Sequence, residues 1–127
     1  MTLQEFTEQY LITDAELLSL SVKYGVDSST STDEVTIKLN GRKVLPKNKH
    51  EKVPFSLKFK GMTELNYYDT FDSKAISQST LSKVSSGEFY LSLDPYTEGE
   101  PSEEDNMIVK SKQLFFIDEN DTEHEIH

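Results

Sequence analysis

The chain has 127 residues with no Cys, no Trp, 13 Lys+Arg and 23 Asp+Glu, a formal net charge of −10 and a pI near 4.7. This composition excludes a disulfide scaffold, a thiol nucleophile and Cys-ligated zinc. No apolar run approaches the roughly 20 residues of a membrane-spanning helix. Met1-Thr2-Leu3-Gln4-Glu5 has no basic-then-apolar leader pattern, so a cytoplasmic chain without membrane or signal segment is expected.

The length suits one compact domain, expected over 1–117, followed by a polar, frayed tail over 118–127. Thr2-Leu3-Gln4-Glu5 reads as a capping box, with Leu3, Phe6 and Tyr10 at helical spacing, so a short amphipathic helix is predicted over about 3–11. Thr13-Asp14-Ala15-Glu16 could cap a second helix. It competes with a strand, because Leu18, Leu20, Val22 and Tyr24 alternate with Ser19, Ser21 and Lys23, and the alternation favours the strand. Asp27 to Asp33 is Ser/Thr-rich and reads as a loop. Val35, Ile37 and Leu39 alternate with Thr36, Lys38 and Asn40, a half-buried strand.

Asn40-Gly41 is a turn signal, although Val44-Leu45 offers a continuation of the strand. Residues 46–52 read as an exposed loop. Phe55, Leu57 and Phe59 predict another half-buried strand, Gly61 a bulge or bend, and Leu65 and Tyr67 an extension. Residues 73–84 read as a weak helix or an irregular crossover: Ile76, Thr80 and Val84 share a helical face, but the Ser and Thr side chains compete for backbone groups. Phe89, Leu91 and Leu93 predict a strand that Pro95 ends. Tyr96 to Asn106 is an acidic Gly/Pro loop, and Met107–Val109 with Leu114–Ile117 form one long strand or two short ones. The predicted class is α+β, mainly antiparallel β: one twisted sheet or sandwich of about six strands with a short N-terminal helix.

Charge is uneven along the chain. Residues 1–37 carry a net −6, residues 38–60 a net +7, residues 61–93 a net −2 and residues 94–127 a net −9. The acidic total argues against a nucleic-acid backbone as partner, because like charges repel. The basic island reads as a local anion site or as a solvated hairpin with Lys guarding sheet edges.

No phosphate-binding loop, dinucleotide glycine pattern, Gly-x-Ser-x-Gly or His-Glu-x-x-His is present. His50 lies in the basic segment, as a base, an anion contact or a plain exposed His. His124 and His127 at i, i+3 would need an ordered frame and supporting partners to hold a metal. No catalytic residue, metal or cofactor is assigned. The acids of the 94–106 loop lack the ligand spacing and central Gly of an EF-hand. Tyr67, Tyr68 and Phe71 with Asp69 and Asp72 form an aromatic–acid cluster that reads as a protein or sugar contact or as strand core.

A likeness rests on Asp14-Ala15-Glu16-Leu17-Leu18-Ser19-Leu20 after a short helix, on Leu57-Lys58-Phe59-Lys60-Gly61-Met62-Thr63-Glu64-Leu65 and on Phe89-Tyr90-Leu91-Ser92-Leu93-Asp94. In type and order these pieces resemble small bacterial immunity proteins of polymorphic toxin systems, over about residues 10–117, with Thr13 where such families often carry His. The resemblance implies an acidic cytoplasmic protein that binds and blocks a toxin domain, and it brings no catalytic residues. The expected function is therefore an acidic protein-binding module that occludes a basic toxin or enzyme. Its partner-binding residues would be Asp94, Tyr96, Glu98, Glu100, Glu103, Glu104 and Asp105, with Tyr96 as the apolar anchor. The alternative is a structural or self-assembling bacterial or phage protein; an enzyme and a mimic of nucleic-acid charge are the remaining readings.

Overall fold

The computed structural model describes residues 1–25, 33–67 and 75–127. Helix α1 (Leu3–Gln9) is followed by strands β1 (Tyr10–Lys23), β2 (Glu34–Leu45), β3 (Lys49–Asn66), β4 (Thr80–Lys83), β5 (Phe89–Asp94), β6 (Asn106–Ile117) and β7 (Glu123–Ile126). The capping box forms as predicted. The Thr2 hydroxyl accepts from the Glu5 N–H at 3.1 Å, and the Glu5 carboxylate accepts from the Thr2 N–H at 3.3 Å. The helix stops at Gln9, two residues short of its expected end, because Tyr10 already takes extended backbone and opens β1.

The sheet is antiparallel, in the order β1-β2-β3-β6-β5-β4, with β7 pairing β6. It consists of two three-stranded meanders joined side by side through β3 and β6. The sheet curls until β1 meets the segment that leads into β4. A bulge in β1 puts Asp14 at φ 68°, and there the Asp14 N–H donates to the Ile76 carbonyl at 2.7 Å. The Ile76 N–H donates to the Ala15 carbonyl at 2.8 Å, and Glu16 bridges Ala75. Pairing of this kind satisfies backbone groups that an open edge would expose.

The inner face carries the alternating apolar residues Val35, Ile37 and Leu39 of β2, Phe55, Leu57 and Phe59 of β3, and Leu91 and Leu93 of β5, all buried. Helix α1 closes the aromatic part of this core. Phe6 is fully buried against Tyr10, Phe55 and Phe116, with ring centroids 5.8, 6.1 and 4.9 Å away. Rings at these separations add about 0.5–1.5 kcal/mol per pair beyond the area they bury.

Several expectations are corrected. Asn40-Gly41 is not a turn: Gly41 lies within β2, and a Cβ there would fall 2.4 Å from the Phe55 ring and 2.8 Å from the Leu11 carbonyl. Its glycine serves close approach, not reversal. The chain reverses instead at Pro46–Asn48, where Lys47 and Asn48 take φ 63° and 57°, and β3 begins at Lys49 inside the expected loop. No helix forms in the described part of 73–84: residues 80–83 are β4, paired to β5 from Thr80↔Ser92 to Lys83↔Phe89. Residues 73 and 74, most of the expected 27–33 loop, and Tyr68, Asp69, Phe71 and Asp72 lie outside the described residues; Tyr67 is exposed. Residues 106–117 form one strand.

The end of the chain is not a frayed tail. β7 pairs β6 from Leu114↔Ile126 to Ile117↔Glu123, and Ile126 is 2% exposed in the core. The His127 N–H donates to the Met1 carbonyl at 3.0 Å, and the Leu3 N–H to the His127 carbonyl at 3.2 Å, so the two chain ends hold each other. Among the described residues no helix is long and apolar enough to cross a membrane.

Candidate functional site

The acidic segment between β5 and β6 is organised by one carboxylate. Asp105 is 4% exposed. Its Oδ1 accepts from the Tyr96 N–H at 2.8 Å; its Oδ2 accepts from the Tyr90 hydroxyl at 2.5 Å and from the Ser102 N–H at 2.9 Å. Burial opposes the Asp105 charge, but the hydrogen bonds from Tyr90, Tyr96 and Ser102 outweigh it and hold the carboxyl below the usual range. Burial, and then the bond to Asp105, push the Tyr90 hydroxyl well above its ordinary value. At pH 7 the pair is thus an anionic acceptor and a neutral donor.

Two further ties hold the loop against the sheet. The Gly99 N–H donates to the hydroxyl of Thr80, which is itself buried on β4, at 3.0 Å. Glu98 accepts from the Thr13 hydroxyl at 2.7 Å, and Thr13 also bonds Ser79 at 2.8 Å. At the loop's base, Ser92 donates to the Asn106 carbonyl at 2.6 Å and Asn106 donates to Asp94 at 3.4 Å.

The seven residues expected at a partner surface therefore divide. Asp94, Tyr96, Glu98, Glu100, Glu103 and Glu104 are exposed, Tyr96 at 69%. Asp105 is not on the surface. Its three acceptor bonds make it the internal pin of the loop, because a buried carboxylate must be saturated with donors. Among the described residues none of these carboxylates forms an ion pair.

Beside the loop lies an open groove of about 470 Å³, with Tyr90 and Ile108 forming part of its floor and Glu64, Glu103 and Lys110 on its sides. A smaller cleft of about 240 Å³ runs between α1, β1 and β4, with Glu98 and Gly99 at its rim. Sequence reasoning left Tyr90, Thr80 and Ser102 without a role. The only signal for Tyr90 was a large polar-tipped ring at an outward position of a strongly alternating strand. Its partner lies across a loop whose path alternation does not describe.

The histidines do not assemble a site. His50 is exposed on the basic hairpin. His124 bonds Asp118 at 2.9 Å and stacks on Phe116 with centroids 5.6 Å apart. Among the described residues no group of three or more His, Asp or Glu is placed to hold a metal ion. No family model matches the chain, and no curated protein or solved structure is significantly similar to it.

Proposed function

We propose that the chain is an acidic protein-binding module that occludes a basic partner, as an immunity or inhibitor protein would. The observation that carries this reading is the pinning of the β5–β6 loop by buried Asp105, which leaves Glu98, Glu100, Glu103 and Glu104 exposed and without an ion pair among the described residues. A surface ordered before contact loses little conformational freedom on binding. The carboxylates steer encounter with a basic surface and pair with its Arg and Lys, and Tyr96 supplies apolar contact beside them.

Using the chain as bait in a lysate of its source tests this. A stoichiometric basic protein is retained at low salt and released at high salt, because screening weakens exposed pairs. Bait carrying Glu98→Ser, Glu100→Ser, Glu103→Ser and Glu104→Ser retains none of it. Equal retention by that variant overturns the reading.

A further inference from the structure

The cations of this acidic protein are gathered on one arm. Eight of the 13 Lys and Arg lie between Lys38 and Lys60, on β2, β3 and the turn joining them. Three are used inside the fold: Lys43 pairs with Glu119, Lys58 with Glu123 and Lys60 with Glu34. The other five, Lys38, Arg42, Lys47, Lys49 and Lys52, are exposed and form no ion pair among the described residues.

Two of them oppose each other. Arg42 and Lys52 are register partners across the antiparallel pair, so their side chains leave the same face of the sheet. Like charges set directly opposite destabilise a strand pair. The one acid between Lys38 and Lys60, Glu51, does not relieve them. Glu51 pairs with Lys43 in the next register position, and successive residues of a strand point to opposite faces. A carboxylate placed between Arg42 and Lys52 converts that repulsion into two attractions, one of them to a guanidinium suited to two parallel hydrogen bonds.

We infer that this outward face of the β2–β3 arm binds carboxylates, and that its occupant is the β5–β6 loop of a second copy of the chain. Charge complementarity selects that occupant. The loop offers Glu98, Glu100, Glu103 and Glu104 on a pinned backbone, and within one molecule no ion pair joins loop and arm among the described residues. The net charge of −10 repels a polyanion such as nucleic acid and a second copy alike, but the polyanion has no cations with which to meet the acidic loop. A second copy presents its own cationic arm along with its acidic loop. Exposed ion pairs are individually weak, so this association belongs to low salt and high protein concentration. The inference rests on the loop being a presented acidic surface, as proposed above, but it concerns the arm and needs no foreign partner.

Sedimentation velocity over a concentration series tests it. The wild-type chain self-associates at about 20 mM salt, and its association constant falls about tenfold or more at about 300 mM. Arg42→Ser with Lys52→Ser abolishes association, and so does Glu100→Gln with Glu103→Gln and Glu104→Gln. All five positions are exposed, and circular dichroism checks that both variants stay folded. Mixing the two variants restores a 1:1 species, because the intact arm of one meets the intact loop of the other. A wild-type chain that is monomeric at low salt, a variant that associates like wild type, or a mixture that stays monomeric overturns the proposal. So does a monomeric protein whose arm binds a single-stranded DNA oligonucleotide, since that assigns the arm to a polyanion. The arm variant keeps the loop and still captures a foreign basic partner, so failure here is separable from failure of the binding-module reading.

Discussion

The β5–β6 loop and the C-terminal hairpin are both acid-rich, with six carboxylates in 94–106 and five in 118–127. Each turns around one aspartate that collects backbone donors: Asp105 takes the N–H groups of Tyr96 and Ser102, and Asp118 takes those of Asn120 and Thr122. Beyond that point they differ. In the hairpin three of the five acids are used by the fold. Glu119 accepts from Lys43 at 2.7 Å and from the Tyr10 hydroxyl at 3.0 Å, Glu123 pairs with Lys58, and Asp118 bonds His124. In the loop only Asp105 is used this fully, and the surface acids face solvent. Acidic composition alone therefore does not mark a binding surface. The informative feature is whether the carboxylates have partners at home.

The largest effect expected tests whether the hairpin is structural. Ile126→Ala leaves a cavity at a core position and should cost about 3 kcal/mol, read by urea unfolding. A change near zero would mean that β7 contributes little. Asp105→Ala orphans the Tyr90 hydroxyl and two backbone N–H groups and should cost about 2 kcal/mol. It should also release the loop, seen as faster amide exchange at Tyr96 and Ser102; protection at wild-type level would show that the Thr80 and Thr13 ties suffice.

Next comes pH. The hydrogen bond from His124 to Asp118, the one from Lys43 to Glu119, and the bonds to buried Asp105 hold all three carboxyls below their ordinary values. The unfolded chain therefore binds more protons on the acid side. The stability these groups supply is complete above about pH 4–5, the range of unperturbed carboxyls, and is lost as pH falls through the lowered folded values. Asp105→Asn in the loop and Asp118→Asn with Glu119→Gln in the hairpin should each flatten part of that acid-side slope; an unaltered slope in both would remove these groups as its source. The smallest effect belongs to the presented acids. Glu100→Ser, Glu103→Ser and Glu104→Ser should each change stability by less than about 0.5 kcal/mol, so that any loss of binding is read without a folding penalty.

Much of the sheet was legible because half-buried strands alternate. Val35-Ile37-Leu39, Phe55-Leu57-Phe59 and Phe89-Leu91-Leu93 bury the residues that the alternation points inward. The Thr2–Glu5 box was legible because a capping box is local chemistry. The misreadings share a cause. Asn40-Gly41 reads as a turn in sequence because the contact of Gly41 with Phe55 comes from another strand. Residues 80–83 and 123–126 are short and polar outside a sheet, and they become strands only because β5 and β6 present free edges to them. The acidic loop was legible as a candidate surface, but its membership was not, since Asp105 differs from Glu104 only in what lies beneath it.

By itself the sequence determined the local terms: the N-terminal cap, the inward apolar rows, the concentration of positive charge in 38–60 and of negative charge after 93. The tertiary structure decided how those terms meet. It set β6 beside β3, closed the sheet from Asp14–Glu16 to Ala75–Ile76, buried Asp105 under Tyr96, and matched the hairpin's acids to lysines far away in sequence. The physical reason is reach. Periodicity and capping act over a few residues, whereas pairing, burial and ion-pair choice depend on which distant segments the chain brings together.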